Sequence, residues 1–358
     1  MAIQPAFTLT ANEIYESLAN MIISQEIFAD NLGEHQTLVD EARVDGGLFG
    51  DTKLYYATDV LKSHAWGNDS EAANLLDLDR AEDPEVQAIK LDVFRQIRLT
   101  TDNYTSKRAF ANEGAFSSFN GVMLSWLRDT KRVYDGTLYN VFIGTTVSPN
   151  SAQNIEIDVS GAADAKEEAM LIAQNMADLF VEMGDYSREF NDYENLRSYA
   201  KEGIKVVWNS KWVNKIRKVD LPTIFHKDGL VEKFEEKQLP ARYFGSLVSE
   251  AIAAASNNGT YRSEVERDYI VEGELVHVFP GDLIPAGVAI AANEAYVVDE
   301  DVICKVLVKL PPLMSAFEVG TTFFNPRSLT ENHYLTFGHN TLAYLKNYPF
   351  ITVKAKVE

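Results

Sequence analysis

The residues best suited to chemistry lie together in the segment TTFFNPRSLTENHYLTFGHN, residues 321–340. Glu331 and His333 are two positions apart, so on a β-strand their side chains point to the same side. His339 could join them across a turn at Gly338, giving a set of nitrogen and oxygen ligands suited to zinc or iron. Because Glu-x-His is common by chance, the alternative is a strand whose Arg and His side chains make interface contacts. Asn325-Pro326-Arg327 fits a tight turn that enters this strand.

Other catalytic signatures are absent from the sequence. It has no Walker-type phosphate loop, no dinucleotide-binding glycine fingerprint, no HExxH and no G-x-S-x-G. The acid pairs Glu167–Glu168 and Glu235–Glu236 are adjacent residues, which do not face each other on a helix, and we interpret them as solvated surface. We therefore predict no enzyme, no cofactor and no metal, with the three ligands above as the weak alternative.

The charge and the cysteine content exclude further classes of protein. The 358 residues have a formal net charge of −20, which disfavours binding to phosphate backbones and so argues against a sequence-reading DNA-binding protein. No run of about 18 apolar residues and no secretory signal pattern occur, so we expect no membrane contact. The single cysteine, Cys304, cannot form an intrachain disulfide, and we predict that it packs in the core.

Amphipathic patterns predict three long helices that would position these residues. The first covers residues 10–30. The second covers residues 113–135, with Gly136 as its stop. The third covers residues 164–184, with Asp164 as its N-terminal cap. Its predicted buried stripe consists of Ala169, Ile172, Met176, Phe180 and Met183.

One extended segment stands out by its length. Residues 86–100, VQAIKLDVFRQIRLT, alternate apolar and polar side chains over more residues than an ordinary strand. A second extended segment covers residues 53–66, and the stretch between them has seven acids and one arginine. We predict a long hairpin with an acidic tip. A projecting hairpin cannot bury its apolar face within its own chain, so this pattern indicates assembly with neighbours.

The remaining segments complete an α+β chain. Strands are predicted over residues 139–147 and 153–159, and a strand followed by a helix over residues 203–219. Residues 241–256 are predicted to be helical, and the last third of the chain is mostly β.

Two sequence segments resemble a known family. The order VVWNSKWV, residues 206–213, fits a strand that leads into a helix opening with an aromatic residue. The segment FEVGTTFFNPRSLTENHYLTFGHNTL resembles the FxNPRxLxxNxxL segment of many phage head proteins. The matching positions are Phe324, Asn325, Pro326, Arg327, Leu329, Asn332 and Leu335. Together with the order of parts, this resembles the major capsid protein of tailed double-stranded DNA phages, which has the Hong Kong ninety-seven type fold.

The resemblance implies an N-terminal arm, an extended β-hairpin loop, a spine helix, and peripheral and axial domains. The implied bounds are 1–49 for the arm, 50–105 for the loop, 106–160 for the peripheral domain with the spine helix, 161–320 for the axial domain with an inserted β subdomain at about 240–310, and 321–358 for the return to the peripheral domain.

The function implied by the resemblance is structural. The chain would assemble as pentamers and hexamers into an icosahedral head around double-stranded DNA, with a separate scaffolding protein and a portal as further partners. It would assemble in the host cytoplasm and stay in the virion. We assign assembly contacts to Arg95, Arg98, Asp77, Asp79 and Arg327. Two alternatives stay open, an encapsulin-like nanocompartment shell and a cytoplasmic metal-dependent enzyme that uses Glu331, His333 and His339.

Overall fold

The structure, a computed structural model, describes the chain in five stretches, which are residues 38–46, 52–63, 80–102, 113–217 and 235–356. The helix predicted over residues 10–30 lies outside them. The chain divides into two compact units, each composed of three parts of the sequence. Unit one comprises Met1–Asp51, Lys90–Gly136 and Leu313–Thr341, and unit two comprises Thr52–Ile89, Thr137–Pro312 and Leu342–Glu358. These boundaries differ from those predicted at residues 106, 161 and 321.

The described residues contain both helices and strands, as the predicted α+β class requires. The α-helices are α1 (Leu38–Ala42), α2 (Glu113–Thr145), α3 (Ala165–Gly184) and α4 (Ser210–Arg217). The strands are β1 (Arg43–Asp45), β2 (Thr52–Ala57), β3 (Glu85–Asp102), β4 (Asn154–Asp158), β5 (Lys205–Asn209), β6 (Glu235–Leu239), β7 (Gly245–Leu247), β8 (Arg262–Ser263), β9 (Arg267–Val271), β10 (Glu274–Val278), β11 (Ala295–Val298), β12 (Val302–Leu307), β13 (Leu313–Asn325), β14 (Thr330–Asn340) and β15 (Phe350–Lys356).

One five-stranded sheet has the strand order β1-β13-β14-β3-β2, and we call it the long sheet because it contains the longest strands. The alternation predicted for β3 is confirmed, because successive side chains along the strand alternate between greater and lesser burial. The predicted hairpin is present only in part. β2 is the neighbour of β3 in the sheet, but it ends at Ala57, and the strand that pairs along most of β3 is β14. Alternation identifies a strand, but it does not identify the strand's partner.

Helix α2 is 33 residues long and continues past the predicted stop at Gly136. The strand predicted over residues 139–147 was therefore wrong. Tyr139, Val141 and Ile143 are all fully buried, so this part of the helix is apolar on most of its sides and shows no helical period. Its β-branched and aromatic residues favour a strand locally, but tertiary packing overrides that preference.

The helix predicted over residues 241–256 was also wrong. This segment contains two short 3₁₀ turns, Ala241–Tyr243 and Ala254–Ser256, with β7 between them. A Cβ atom added at Gly245 would lie 2.4 Å from the carbonyl oxygen of Val297 on the neighbouring strand β11. Gly245 therefore allows β7 and β11 to approach closely, and this pairing outweighs the helix preference of the alanines.

A second five-stranded sheet in unit two has the order β4-β15-β12-β5-β6. Helices α3 and α4 contribute to the same hydrophobic core as these strands. The predicted stripe of α3, made of Ala169, Ile172, Met176, Phe180 and Met183, is buried as expected. The cap is confirmed too, since the Asp164 carboxylate accepts hydrogen bonds from the backbone N–H groups of Lys166 and Glu167.

The end of the chain belongs to this second sheet. β15 pairs with β12 on one side and with β4 on the other. Residues 350–356 therefore do not return to the sheet of β14, although residues 321–358 were expected to share one domain. Cys304 lies in β12 and is fully buried, with its Sγ atom 3.9 Å from the Met176 Sδ atom, which confirms its predicted core position.

A smaller group of strands lies within residues 245–298. It consists of a three-stranded sheet, β7-β11-β8, and a β9–β10 hairpin. The hairpin turns at Glu272 and Gly273, whose φ angles of 51° and 88° are those of the left-handed region that two-residue hairpin turns use. Tyr269, Val278, Ile284, Ile290 and Ala295 form its own hydrophobic cluster.

One buried charge was not expected from the sequence. Lys305, which alternates with Cys304 on β12, is only 1% exposed. Its Nζ atom donates to the carbonyl oxygen of Thr146, the first residue after α2, at 2.7 Å and to the hydroxyl of Thr352 at 2.8 Å. Burial, with the nearby Lys354 ammonium, lowers the pKa of Lys305 to about 7. The folded core therefore favours the neutral amine.

Gly144 gives the first test of this packing. A Cβ atom there would lie 2.1 Å from the carbonyl oxygen of Tyr243, a backbone atom that cannot turn aside. We expect Gly144→Ala to lower the free energy of unfolding by about 1–3 kcal/mol in urea titrations. The matched control is Gly184→Ala at the end of α3, where nothing lies within 4 Å and no loss of stability is expected. Equal stability of the two variants would contradict the described packing.

Lys305→Met gives the second test. Between pH 7 and about 10.5 the unfolded chain binds a proton at Lys305 that the folded chain does not, so stability rises with pH across this window. Lys305→Met should reduce that slope by up to about 1.4 kcal/mol per pH unit, measured by urea unfolding at several pH values. Lys356→Met, at an exposed lysine of β15, is the control and should retain the wild-type slope. If Lys305→Met leaves the slope unchanged, the Lys305 amine is not neutral in the folded state.

Candidate assembly surface

The three candidate metal ligands all lie on β14, and the strand keeps two of them far apart. His333 and His339 are six residues apart on a continuous strand, so their Cα atoms are separated by about 20 Å. The turn predicted at Gly338 was wrong, because Gly338 pairs with Phe94 inside the ladder. In the described part of the chain, no group of three His, Cys, Asp or Glu side chains could hold a metal ion.

Each histidine instead has a place in the packing. The Nδ1 atom of His339 donates to the carbonyl oxygen of Asn340 at 2.8 Å, so its Nε2 atom accepts from the Tyr134 hydroxyl at 2.9 Å. Burial lowers the pKa of His339, which keeps the ring neutral. The Nε2 atom of His333 lies 3.3 Å from the Thr101 hydroxyl on β3. Both side chains thus help to fix β14 against its neighbours.

An ion cluster holds the inner face of the long sheet to α2, and it is buried at Lys131 and Asp135 but partly exposed at Arg43. The Nζ atom of Lys131 and the Nη2 atom of Arg43 lie 2.7 and 2.9 Å from the same carboxylate oxygen of Asp135. Lys131 also lies over the ring of Phe337 on β14, at 5.2 Å from its centroid. Sequence reasoning missed this cluster, although the spacing of Lys131 and Asp135 by four residues is a signal for a helical ion pair.

The outer face of the long sheet is the opposite side of β13, β14 and β3, and its side chains are exposed or partly exposed. We define it by Phe94, Gln96, Arg98, Thr100, Asn332, Tyr334, Thr336, Val319, Thr321 and Phe323. Cross-strand hydrogen bonds join Gln96 to Thr336 at 3.0 Å and Thr100 to Asn332 at 2.7 Å. Paired strands hold the backbone of this face, and the apolar side chains of Phe94, Val319 and Phe323 are exposed on it. The outer face is therefore suited to contact with another protein.

The predicted contact residues fall in different environments. Arg98 lies on the outer face and is exposed. Arg327 is exposed in the turn between β13 and β14, where its backbone N–H donates to the Asn325 side chain and so confirms the predicted Asn-Pro-Arg turn. Arg95 lies on the inner face, 5.0 Å from the centroid of the Tyr134 ring. Asp77 and Asp79 lie outside the described residues.

Within unit two, both described ends of the predicted extended loop are anchored by side chains. The Asp59 carboxylate accepts from the backbone N–H of Leu196 at 2.9 Å and from Arg188 at 2.6 Å. The Gln87 side chain donates to the carbonyl oxygen of Tyr344 and accepts from the N–H of Lys346. The hydrogen bond from Leu196, followed by that from Arg188, lowers the pKa of Asp59 to about 2. No pattern in the sequence marks this anchor.

No helix in the described stretches is both long and apolar enough to span a membrane.

Comparisons with known proteins give one matching family and similar folds among solved structures. The family model described as Phi29-like phage major capsid protein matches residues 2–353. A chain from the capsid structure of Staphylococcus phage Andhra has a similar fold, with a TM-score of 0.60 and 10% identity over 89% of this chain and 84% of that one. A chain from the structure of the head fiber and inner core protein gp22 of native bacteriophage P68 gives a TM-score of 0.57 and 9% identity over 88% and 83%. No curated protein matches.

The Asp59 anchor generates a prediction about the loop. Asp59→Ala removes the acceptor of the Leu196 N–H, so hydrogen exchange in a peptide containing Leu196 should become at least about tenfold faster. Proteolysis between residues 60 and 86 should accelerate as well. Asp83→Ala, at an exposed acid of the same segment, is the control and should leave both rates unchanged.

The anchor is also expected to depend on pH in one direction. A lowered pKa means that the ionised carboxylate stabilises the folded state, fully above about pH 4 and less as the pH falls toward about 2. As the pH falls from about 4 toward about 2, the rate of Leu196 exchange in the wild type should therefore approach the rate measured in Asp59→Ala at the same pH. Exchange with the same pH profile in both proteins would contradict the anchor.

Proposed function

Because the chain belongs to the family of Phi29-like phage major capsid proteins and is a structural subunit of a phage head, we propose how its surfaces join copies around packaged double-stranded DNA. Copies meet through the outer face of the long sheet and through the loop anchored at Asp59 and Gln87. The capsomers are pentamers and hexamers that together close an icosahedral shell. The observation that supports this proposal most is the family match, which runs through both compact units.

The domain assignment is part of the proposal. Residues 1–49 act as an arm, residues 50–105 as the extended loop, and α2 as the spine of a peripheral domain over residues 106–160. Residues 161–320 form the axial domain, and the separate hydrophobic cluster within residues 245–298 supports an inserted subdomain there. The peripheral return at residues 321–358 is supported for β14, whereas the pairing of β15 with β12 favours the axial sheet for residues 350–356.

The two alternatives are less favoured. An encapsulin-like compartment would have the same fold, but the matching family is one of phage head proteins. A metal enzyme would need Glu331, His333 and His339 on one ion, which the length of β14 prevents. The family points to a structural role and not to catalysis.

Further partners follow from the charge of the subunit. With 53 acidic and 33 basic residues, the chain has a net charge of −20, so a wall of such subunits repels DNA and lets it move during packaging. The DNA is enclosed without sequence-specific binding. We propose a separate scaffolding protein and a portal as assembly partners, with assembly in the host cytoplasm before the subunit becomes part of the virion.

Basic residues are fewer than acidic ones in this chain, 33 against 53. We propose that Arg98 and Arg327, which are exposed, bind acidic groups of neighbouring subunits. Asp77 and Asp79 are proposed as acidic partners, and Arg95 as a contact whose guanidinium is already oriented by Tyr134.

The experiment is expression of the full chain, alone and together with its scaffolding protein, followed by size exclusion and negative-stain microscopy. Shells, or discrete pentamers and hexamers, are expected. Their yield should rise between 10 and 150 mM salt, because the Debye length falls from about 30 to about 8 Å and screens the repulsion between subunits. A small oligomer that persists under all these conditions would contradict the proposal.

The contact residues are tested by charge reversal. Arg98→Glu and Arg327→Glu should each lower the yield of shells at least about tenfold, since each replaces an attraction by a repulsion at an interface. Lys166→Glu, at an exposed lysine of α3, produces the same net charge and is the control. If all three variants give the same yield of shells, any loss relative to the wild type is a general effect of charge, and neither arginine is a contact.

A further inference from the structure

The β9–β10 hairpin has two sides with different surroundings. Tyr269 and Val278 lie on its packed side and belong to the separate hydrophobic cluster within residues 245–298. On its solvent side, Ile270 and Leu275 are cross-strand partners and are 72% and 69% exposed. The solvent side therefore gains little stability from apolar burial, and polar contacts between the two strands matter most there.

A histidine joins the two strands on the solvent side. The Nδ1 atom of His277 lies 2.6 Å from a carboxylate oxygen of Asp268, its cross-strand partner. The Nε2 atom of His277 lies 2.9 Å from a carboxylate oxygen of Glu266, which precedes β9. The ring also packs edge-on against Phe279, with 4.7 Å between the ring centroids. We call Glu266, Asp268 and His277 the hairpin latch.

The hairpin latch is complete only with a proton on both nitrogens of the ring. A neutral imidazole has one N–H group, and its other nitrogen presents a lone pair. Because a carboxylate lies at each nitrogen of His277, a neutral ring sets that lone pair against a negative oxygen, whereas the imidazolium donates to both carboxylates. Histidine side chains gain and lose this proton between about pH 5 and 8. The latch therefore loses one of its two contacts as the pH rises through this range.

The other charged groups of the hairpin point elsewhere. Arg267 alternates with Asp268 along β9 and pairs with Glu294, which precedes β11. Glu274 alternates with Leu275 along β10 and so lies on the opposite side from His277. The charged groups placed against the ring are thus the carboxylate of Asp268 from β9 and the carboxylate of Glu266 from the segment before it.

Glu264 adds a second proton-dependent group just before the hairpin latch. Burial raises the pKa of its carboxyl group to about 7. A raised pKa means that the neutral carboxyl stabilises the folded state, fully below about pH 4.5 and less as the pH rises through about 7. The backbone N–H of Glu264 donates to the carbonyl oxygen of Glu294 at 3.0 Å, so the residue lies within the same small group of strands. Glu264 and His277 therefore act in the same direction.

We propose that the β9–β10 hairpin is a pH-dependent element whose strands are held together by the hairpin latch when His277 is protonated, and which opens more readily when His277 loses that proton. The device lies entirely within unit two. It goes beyond the proposed function and does not rest on it, because every group that it uses belongs to one chain.

Hydrogen exchange of the full chain, followed by mass spectrometry, tests the hairpin latch. In His277→Gln the side chain is neutral at every pH. Its peptide over residues 266–279 should therefore exchange roughly two to ten times faster than the wild-type peptide at about pH 5.5, and at nearly the wild-type rate at about pH 8.5. Comparison of the two proteins at the same pH removes the intrinsic effect of pH on exchange.

His277→Arg gives the opposite result if the charge is what matters. The guanidinium stays cationic and has donors for both carboxylates, so at about pH 8.5 the same peptide should exchange roughly two to ten times more slowly than in the wild type. The peptide over Val302–Leu307 in β12 is the internal control and should exchange equally in all three proteins. Equal exchange of the wild type and His277→Gln at about pH 5.5 overturns the proposal. A His277→Arg variant that loses protection with rising pH as the wild type does overturns it as well.

Glu264→Gln tests the second group in the same experiment. The amide cannot ionise, so the variant and the wild type should exchange alike over residues 266–279 at about pH 5.5, where the Glu264 carboxyl is mostly neutral. At about pH 8.5 the variant should exchange roughly two to ten times more slowly, because it no longer buries a charge. Equal exchange at that higher pH overturns the part assigned to Glu264.

Discussion

Every backbone N–H and C=O group along a strand needs a partner, and β14 satisfies this requirement on both of its sides. Its ladder with β3 pairs Glu331 with Thr101 and His339 with Val93, while its ladder with β13 runs from Asn325 to Ser315. The ladder with β3 joins segments more than 200 residues apart in the sequence, whereas β13 and β14 are neighbours along the chain. A slip by one residue would move His333, Leu335 and Phe337 from the buried face to the solvent, so the register is strongly determined.

The packing on the inner face follows from that register. Phe337 and His339 face α2 because they alternate with residues of the outer face, and there they meet Tyr134 at ring-centroid distances of 5.7 and 5.6 Å. The cluster of Lys131, Asp135 and Arg43 then fixes the helix. Removing one member of a buried ion pair typically costs about 3–5 kcal/mol, because it leaves an uncompensated charge. Among the described residues, the inner face is therefore buried against α2, while the side chains of the outer face stay exposed or partly exposed.

The sequence predicted those elements whose pattern is local. The alternation of β3, the buried stripe and cap of α3, the burial of Cys304 and the turn at Asn325 each depend on neighbours in sequence, and each is found. The partner of β3 could not be predicted, because β14 is chosen by contacts between distant segments. The C-terminal turns of α2 were missed because their burial on most sides removes the helical period.

The site was harder to predict than the fold. Glu331, His333 and His339 were correctly placed on a strand, but chemistry was suggested by spacing alone, and the straightness of β14 separates the ligands. The resemblance in the FxNPRxLxxNxxL segment identified the family, although its residues form a turn and a strand and not a catalytic group. Lys305 and the Asp59 anchor depend on what folding places around them, and no local pattern marks either residue.

The central claim is that each subunit completes its inner packing alone and its exposed sheet surfaces only with copies of itself. The most direct measurement is a reconstruction, by electron cryomicroscopy at side-chain resolution, of the particles that the full chain forms. The account predicts an icosahedral shell in which β3 and β14 of the same subunit pair with His333 opposite Leu99, while the outer face of the long sheet contacts a neighbouring subunit. A shell in which β3 pairs with another copy's β14, or in which the outer face of the long sheet faces solvent, would contradict it.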